Sequence, residues 1–192
     1  MKNKLKILRF LLDNSEKQFS IRSIAQHLKL NYRLAFHDIK KLEEEKLVVI
    51  RKLGNTNLCH FSHYFNEKIV QIEMTKREEL LQNKNIRVLY DRINEIKNPF
   101  FIGLIFGSYA QKKQTKQSDI DFCLITDDQT IRNQIEKLIR TLPLDIHLLI
   151  FSVAEFVSML KTTDHTVAKE IIANKIILKG TESFYELITH AR

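Results

Sequence analysis

One stretch of the sequence, residues 106–122, limits the fold more than any other. An apolar run ends there in Gly107-Ser108, and ten residues further on the chain reads Asp119-Ile120-Asp121. Strand side chains alternate between faces, so Asp119 and Asp121 share one face while Ile120 turns to the other. Two such carboxylates repel each other unless a cation holds them, and Mg²⁺ prefers hard oxygen ligands. The stretch therefore predicts a strand that presents a cation-binding pair.

A third aspartate, Asp145, lies in the apolar run from Leu144 to Phe151. An unpaired charge in a buried strand costs roughly 2 kcal/mol or more, and a bound metal would offset that cost. We therefore expect Asp145 to face Asp119 and Asp121 across neighbouring strands. His147 shares the face of Asp145, where it either tunes a metal site or only fills the strand surface.

Gly107 and Ser108 have properties that suit a phosphate. Glycine allows the backbone to approach a ligand closely. Ser108 offers a hydroxyl and a backbone N–H at the start of a turn or helix, which is a common arrangement for anion binding.

Apolar runs and helical patterns alternate from Pro99 to the last residue. The runs cover residues 100–106, 120–126, 144–151 and 176–178, and the helical patterns cover 129–140, 153–160, 167–173 and 182–188. Ser152 and Glu155 form a capping box at the start of the second of these helices. This alternation predicts a small α+β domain with a mixed sheet over residues 98–192.

The combination of Gly107-Ser108, ten residues, Asp119-Ile120-Asp121 and the later Asp145 resembles the signature of the polymerase-β-like nucleotidyltransferases. The small size resembles the minimal members, which are often antitoxins paired with a HEPN-domain toxin. The resemblance implies that Gly107 and Ser108 bind the phosphates of a nucleoside triphosphate, with ATP the expected donor. It also implies that Asp119, Asp121 and Asp145 hold two Mg²⁺ ions while an acceptor hydroxyl attacks the α-phosphate and pyrophosphate leaves.

The sequence departs from these relatives just after Gly107-Ser108. Many minimal members carry an arginine there, whereas the basic residues here are Lys112, Lys113 and Lys116. We interpret these lysines either as a phosphate clamp or as a solvated loop; a lysine acts as a point charge rather than a bidentate fork.

The first 65 residues are basic, with 13 Lys and Arg against 6 Asp and Glu, while the other residues carry 18 against 17. This asymmetry indicates a small basic domain joined to a near-neutral one. A basic domain suggests a polyanionic partner, most often nucleic acid, with a merely basic surface as the alternative.

The same region contains three helical patterns and a hairpin. Leucines recur at helical spacing over 4–13, and Ser20 and Asn31 are N-caps of two further helices. An extended run over 47–52 and a return strand over 58–61 flank a turn cluster. The segment from Ser20 to Val48 resembles the winged helix-turn-helix family, which implies a DNA-binding domain over residues 1–65.

Double-stranded DNA would then contact the third helix and the wing. The candidate contacts are Tyr32, Arg33, His37, Lys40 and Lys41 on the helix, and Arg51, Lys52, Asn55 and Asn57 on the wing. An exposed polar helix face is the alternative interpretation.

Residues 66–97 contain neither Gly nor Pro and predict one long helix or two consecutive helices, with a break near 83–85. We interpret this segment as a helical connector that either offers a homodimer surface or packs on one or both domains. Cys59 and Cys123 lack CxxC spacing, so reduced thiols in a cytoplasm are expected. No apolar run approaches the ~20 residues that span a bilayer, and no membrane partner is expected.

These features together predict a cytoplasmic, Mg²⁺-dependent nucleotidyltransferase that moves AMP from ATP to an unidentified hydroxyl and also binds DNA. One alternative is a DNA-binding regulator whose second domain only senses nucleotide or is inactive. Another is an antitoxin that modifies or masks a partner protein, such as a HEPN-type toxin.

Overall fold

The computed structural model describes residues 2–98, 100–115, 117–164 and 166–191. The chain forms two compact units, Met1–Ile72 and Glu73–Arg192. Their boundary lies inside the segment interpreted above as a connector. The domain limits 1–65, 66–97 and 98–192 stay predictions.

The first unit is a small helical cluster followed by a hairpin. Buried leucines and isoleucines on one side of each helix form its core, among them Leu8, Ile24 and Ile39. The predicted caps are confirmed: the side chain of Ser20 accepts from Ser23 N–H and that of Asn31 from Arg33 N–H. Its elements are α1 (Asn3–Asp13), β1 (Phe19–Ser20), α2 (Ile21–His27), α3 (Tyr32–Glu44), β2 (Val48–Leu53) and β3 (Thr56–Phe61).

The hairpin pairs β2 with β3 from Val48 opposite Phe61 to Leu53 opposite Thr56. Its turn is therefore the dipeptide Gly54-Asn55, shorter than the predicted turn cluster. Gly54 has φ +57°, which a two-residue hairpin turn favours. Strand β1 adds to the outer side of β3, giving the order β1-β3-β2. The sequence does not predict this strand, because two residues are too few to show an alternating pattern.

The helix that spans the boundary between the units is α4 (Glu67–Leu80), and α5 (Lys84–Asn94) follows it. The break comes at Asn83, whose side chain accepts hydrogen bonds from Asn85 N–H and Ile86 N–H. The sequence interpretation of two consecutive helices is therefore confirmed. Ile86 and Leu89 of α5 belong to the buried cluster of the second unit.

The second unit is built on a four-stranded mixed sheet with the order β6-β5-β4-β7. Strand β4 pairs antiparallel with both β5 and β7, whereas β5 and β6 run parallel. The elements after α5 are β4 (Ile102–Ile105), α6 (Gly107–Ala110), β5 (Ile120–Ile125), α7 (Gln129–Thr141), β6 (Ile146–Phe151), α8 (Val153–Lys161), α9 (Val167–Ala173), β7 (Ile176–Lys179) and α10 (Thr181–Ala191).

Helices pack on this sheet through apolar residues that the sequence pattern identified. Phe122 is fully buried in β5, and Ile131 and Ile135 of α7 belong to the same cluster. The predicted capping box is confirmed, since Ser152 and Glu155 exchange hydrogen bonds at the start of α8. Among the described residues, no helix is long and apolar enough to cross a bilayer.

One expectation about the sheet is wrong. Strand β6 begins at Ile146, so Asp145 precedes the strand, and Asp145 is exposed. The desolvation cost that we assigned to its charge therefore does not arise, because water reaches the carboxylate. The apolar run predicts a strand from Leu144, but its first two residues precede β6.

Each unit contains one cysteine, and both thiols are buried, Cys59 in β3 and Cys123 in β5. Burial raises the pKa of each thiol to about 12. A thiol of that pKa is only about 0.01% thiolate at pH 8, and the thiolate is the reactive form. We expect a thiol reagent such as DTNB to label neither cysteine in native buffer at pH 8.

At high denaturant concentration both cysteines should react. At intermediate concentrations, mass spectrometry identifies which cysteine is labelled: labelling of Cys59 reports opening of the first unit, and labelling of Cys123 reports opening of the second unit. Rapid labelling of either cysteine in native buffer would contradict the buried placement.

Candidate active site

Strand β5 carries the two predicted carboxylates at its start. Asp121 lies within β5 and Asp119 directly precedes it. The predicted alternation is confirmed, because Ile120 and Phe122 are buried whereas Asp119 is exposed and Asp121 is half-buried. The apolar residues anchor the strand in the core, so the carboxylate face is held by packing on the opposite side.

The parallel neighbour β6 brings a histidine to this face. Asp121 stands opposite His147 in the register of β5 and β6. The His147 Nδ1 atom lies 3.1 Å from Asp121 Oδ1, with 55% of the His147 side chain and 20% of the Asp121 side chain exposed. One ligand atom from each of Asp119, Asp121 and His147 lies within 4.8 Å of the other two.

The donor set of this group suits a divalent cation. Two carboxylates at about 4 Å repel by roughly 1 kcal/mol in water and about 4 kcal/mol at the effective dielectric constant of a protein surface. A bound cation replaces this repulsion by attraction, and carboxylate oxygens are ligands for Mg²⁺ while an imidazole nitrogen suits Zn²⁺ and related ions.

Gly107, two residues after the end of β4, lies next to the Asp121 carboxylate. It lies at the start of α6 with φ +64°, in the left-handed region. A Cβ atom placed there would lie 2.0 Å from Asp121 Oδ2 and 2.9 Å from Asp121 Cγ. The neighbouring Phe106 N–H donates to the Asp121 carbonyl oxygen at 3.1 Å. Glycine is thus the residue that leaves space for the carboxylate of Asp121.

Ser108 follows Gly107 in α6. Its Oγ atom is shielded from solvent and has no hydrogen-bond partner among the described residues. A buried hydroxyl without a partner is costly, and a bound phosphate oxygen is a group that would satisfy it.

The three lysines predicted to bind phosphate differ in their surroundings. Lys112 Nζ lies 2.9 Å from Glu79 Oε2, so this lysine is already paired. Lys113 is exposed, and its backbone N–H donates to the Ser108 carbonyl oxygen at 2.9 Å. Lys116 lies outside the described residues. Their assignment to phosphate binding stays a prediction.

The backbone of Asp145 lies close to this site. The Ile120 N–H donates to the Asp145 carbonyl oxygen at 2.9 Å, which places the residue at the same end of the sheet as Asp119. Its carboxylate is not a member of the group formed by Asp119, Asp121 and His147. The spacing of two residues between Asp145 and His147 predicts that they share a strand face, where His147 was one candidate for tuning a metal site.

The predicted DNA contacts all lie on the surface of the first unit. Arg33, His37 and Lys40 follow one another on the side of α3 opposite the buried Ala35 and Ile39. Tyr32 at the start of α3 and Asn55 in the hairpin turn line one polar cavity of about 280 Å³. The other predicted contacts, Lys41, Arg51 and Lys52, are exposed as well, and Asn57 is half-buried.

Comparison with known proteins identifies the class of the second unit. Residues 84–183 match the family described as "Polymerase beta, Nucleotidyltransferase". This match covers more than half of the chain, so the protein belongs to the polymerase beta nucleotidyltransferase family. Among curated proteins, none matches the chain significantly.

Three solved structures show limited similarity. Reduced HlyU from Vibrio cholerae N16961 is 25% identical with a TM-score of 0.33, over 40% of this chain and 76% of HlyU. A toxin-antitoxin crystallised with AMP-PNP is 20% identical with a TM-score of 0.38, over 57% of this chain and 84% of that one. The hypothetical protein PyrSV_gp04 from Pyrobaculum spherical virus is 19% identical with a TM-score of 0.29, over 91% and 81%.

The contact between Gly107 and Asp121 generates a prediction with a matched control. Because a Cβ atom at position 107 would overlap the Asp121 carboxylate, Gly107→Ala would displace that carboxylate from its position beside Asp119 and His147. Alanine at position 54 imposes similar backbone strain, since Gly54 has φ +57°, but its Cβ would meet no atom within 4 Å. Each change should destabilise its unit by roughly 1–2 kcal/mol.

Only Gly107→Ala should also weaken Mn²⁺ binding, by about tenfold or more, measured by titration calorimetry on the full chain. Equal Mn²⁺ affinities for Gly107→Ala and Gly54→Ala would contradict the role assigned to Gly107.

Proposed function

We propose that the chain is a nucleotidyltransferase that moves a nucleoside monophosphate, AMP from ATP, to the hydroxyl of an acceptor. The observation that carries this proposal is the convergence of Asp119, Asp121 and His147 beside Gly107, inside the segment that matches the family. Fold alone does not fix an activity, so the proposal depends on this site rather than on the family match.

Each side chain has a role in this proposal. Asp119 and Asp121 hold a divalent cation, for which Mg²⁺ is the ion expected from the sequence. The backbone at Gly107 and the hydroxyl of Ser108 bind phosphate oxygens. Lys113 and Lys116 add positive charge, and Lys112 does so when it exchanges its ion pair with Glu79 for a phosphate. Asp145, which water reaches, takes part in holding a second cation and accepts the proton of the acceptor hydroxyl.

The reaction replaces a phosphoanhydride bond of the triphosphate by a phosphoester bond to the acceptor. The acceptor oxygen loses its proton and forms a bond to the α-phosphorus, while the bond from that phosphorus to the bridging oxygen breaks and pyrophosphate leaves. Divalent cations held by Asp119, Asp121 and Asp145 would supply charge stabilisation to the reacting phosphate. The protein orients the triphosphate against the acceptor. In such reactions this positioning accounts for a large part of the lowering of the activation barrier.

The test of transfer uses ATP labelled at the α-phosphate. The purified chain, alone and with candidate partner proteins, should transfer the α-label but no label from γ-labelled ATP, because the γ-phosphate leaves with pyrophosphate. Asp121→Asn should reduce transfer by about 100-fold or more, because removing one metal-binding charge leaves the triphosphate poorly neutralised. Asp91→Asn is the control, since Asp91 is an exposed aspartate on α5.

Asp145→Ala separates an enzyme from a nucleotide sensor. It should retain ATP binding, measured by calorimetry, while losing transfer. Full transfer by Asp121→Asn would contradict the site, whereas tight ATP binding by the wild type without transfer to any acceptor would favour the sensor or antitoxin alternatives.

We also propose that the first unit is a winged helix-turn-helix domain that binds double-stranded DNA. The order of three helices and a hairpin, the exposed basic side of α3 and the exposed Arg51 and Lys52 of β2 support this proposal. Helix α3 would enter the major groove with Arg33 and His37 toward base edges, and the hairpin would contact phosphates.

The DNA prediction compares three arginine variants of the full chain on one duplex by fluorescence anisotropy. Arg33→Ala should lower affinity about fivefold or more, because it removes a groove contact. Arg51→Ala should lower affinity and also reduce the slope of log K against log salt by about 1, because one phosphate contact is lost. Arg140→Ala, at an arginine of α7 with 81% of its side chain exposed, should change neither quantity.

Identical affinities and salt slopes for all three variants and the wild type would contradict DNA binding through α3 and the hairpin.

A further inference from the structure

The third donor at the proposed cation site is a nitrogen atom. Asp119 and Asp121 contribute oxygens, and His147 contributes an imidazole nitrogen to the same group of atoms within 4.8 Å. Donor atoms that share one tetrahedral ion at 2.0–2.2 Å lie about 3.3–3.6 Å apart. The His147 Nδ1 and Asp121 Oδ1 atoms, 3.1 Å apart, are already at about this spacing.

The backbone, rather than a chance rotamer, places His147 there. Its strand runs parallel to β5 with His147 directly opposite Asp121, so both side chains leave the same face of the sheet. Its side chain is 55% exposed and the Nδ1 atom lies 3.1 Å from Asp121 Oδ1. His147 therefore does not fill the core, and its ring lies beside the carboxylates of Asp119 and Asp121 with more than half of its surface exposed to solvent.

We infer that His147 is a ligand of the cation held by Asp119 and Asp121, and that this site prefers Zn²⁺ and Co²⁺ to Mg²⁺. The inference rests on the proposed function for the existence of the site. Imidazole nitrogen suits Zn²⁺ and its neighbours, whereas Mg²⁺ is a hard ion that favours oxygen ligands and retains several waters. Three protein ligands with an open position are also the usual arrangement of a Zn²⁺ site that admits a further ligand.

A purely orienting role for His147 makes a different prediction. If the ring only donates a hydrogen bond to Asp121 and fixes its rotamer, its loss weakens the binding of every divalent cation by a similar factor. If the ring binds the ion, its loss weakens Zn²⁺ and Co²⁺ selectively. The ratio of affinities for Co²⁺ and Mg²⁺ therefore separates the two roles, and no measurement of transfer is needed.

The experiment is calorimetric titration of the full chain with Zn²⁺, Co²⁺ and Mg²⁺, together with the visible absorption spectrum of the Co²⁺ complex. His147→Ala should reduce Zn²⁺ and Co²⁺ affinity by about 10-fold to 100-fold and change Mg²⁺ affinity by less than about threefold. His147→Asp should lower the ratio of Co²⁺ to Mg²⁺ affinity, because the third donor becomes an oxygen. The control is His190→Ala, at an exposed histidine of α10, which should leave all affinities and the Co²⁺ spectrum unchanged.

Each outcome of this experiment supports or overturns the inference. A selective loss with a changed Co²⁺ spectrum supports the inference, and an equal loss for all cations or no loss overturns it. If Asp121→Asn abolishes cation binding while His147→Ala leaves the preference intact, the inference fails and the proposed cation site stands. If the wild type binds no divalent cation, the proposed function and the inference fail together.

Discussion

The parallel pairing of β5 with β6 determines the site, because its register sets Asp121 opposite His147. A shift of β6 by one residue would turn His147 toward the core and bring Ile146 or Leu148 opposite Asp121. Burial of Ile120 and Phe122 on the reverse face holds the register. The chemistry of the open face therefore depends on apolar packing at the opposite face of the sheet.

Gly107 adds a second constraint to the same carboxylate. Because a Cβ atom at this position would overlap Asp121 Oδ2, the start of α6 and the front of β5 can approach each other only with glycine there. The turn after β4 thus provides the space for the Asp121 carboxylate and, in the proposed function, the backbone that binds a phosphate. A motif that appears in the sequence as Gly-Ser followed much later by Asp-x-Asp is a single compact site in three dimensions.

Most of this arrangement could be predicted from the sequence, and the predictions that are wrong have physical causes. Alternation of side chains placed Asp119 and Asp121 correctly because Ile120 and Phe122 are apolar and fix the strand's faces. Asp145 was expected to be buried because an apolar run does not indicate where a strand begins. The contact between His147 and Asp121 depends on which strands pair and in which register, and periodicity within one strand carries no such information. The pairing of Lys112 with Glu79 likewise joins residues far apart in the sequence.

The most direct test of the central claim is a crystal structure of the full chain with Mn²⁺ and an ATP analogue that carries a methylene group between its α- and β-phosphates. Anomalous diffraction locates Mn²⁺ independently of the refined coordinates. The account predicts an anomalous peak within bonding distance of Asp119 and Asp121, with the triphosphate against Gly107 and Ser108. A nucleotide bound elsewhere, or a peak that contacts neither aspartate, would contradict it.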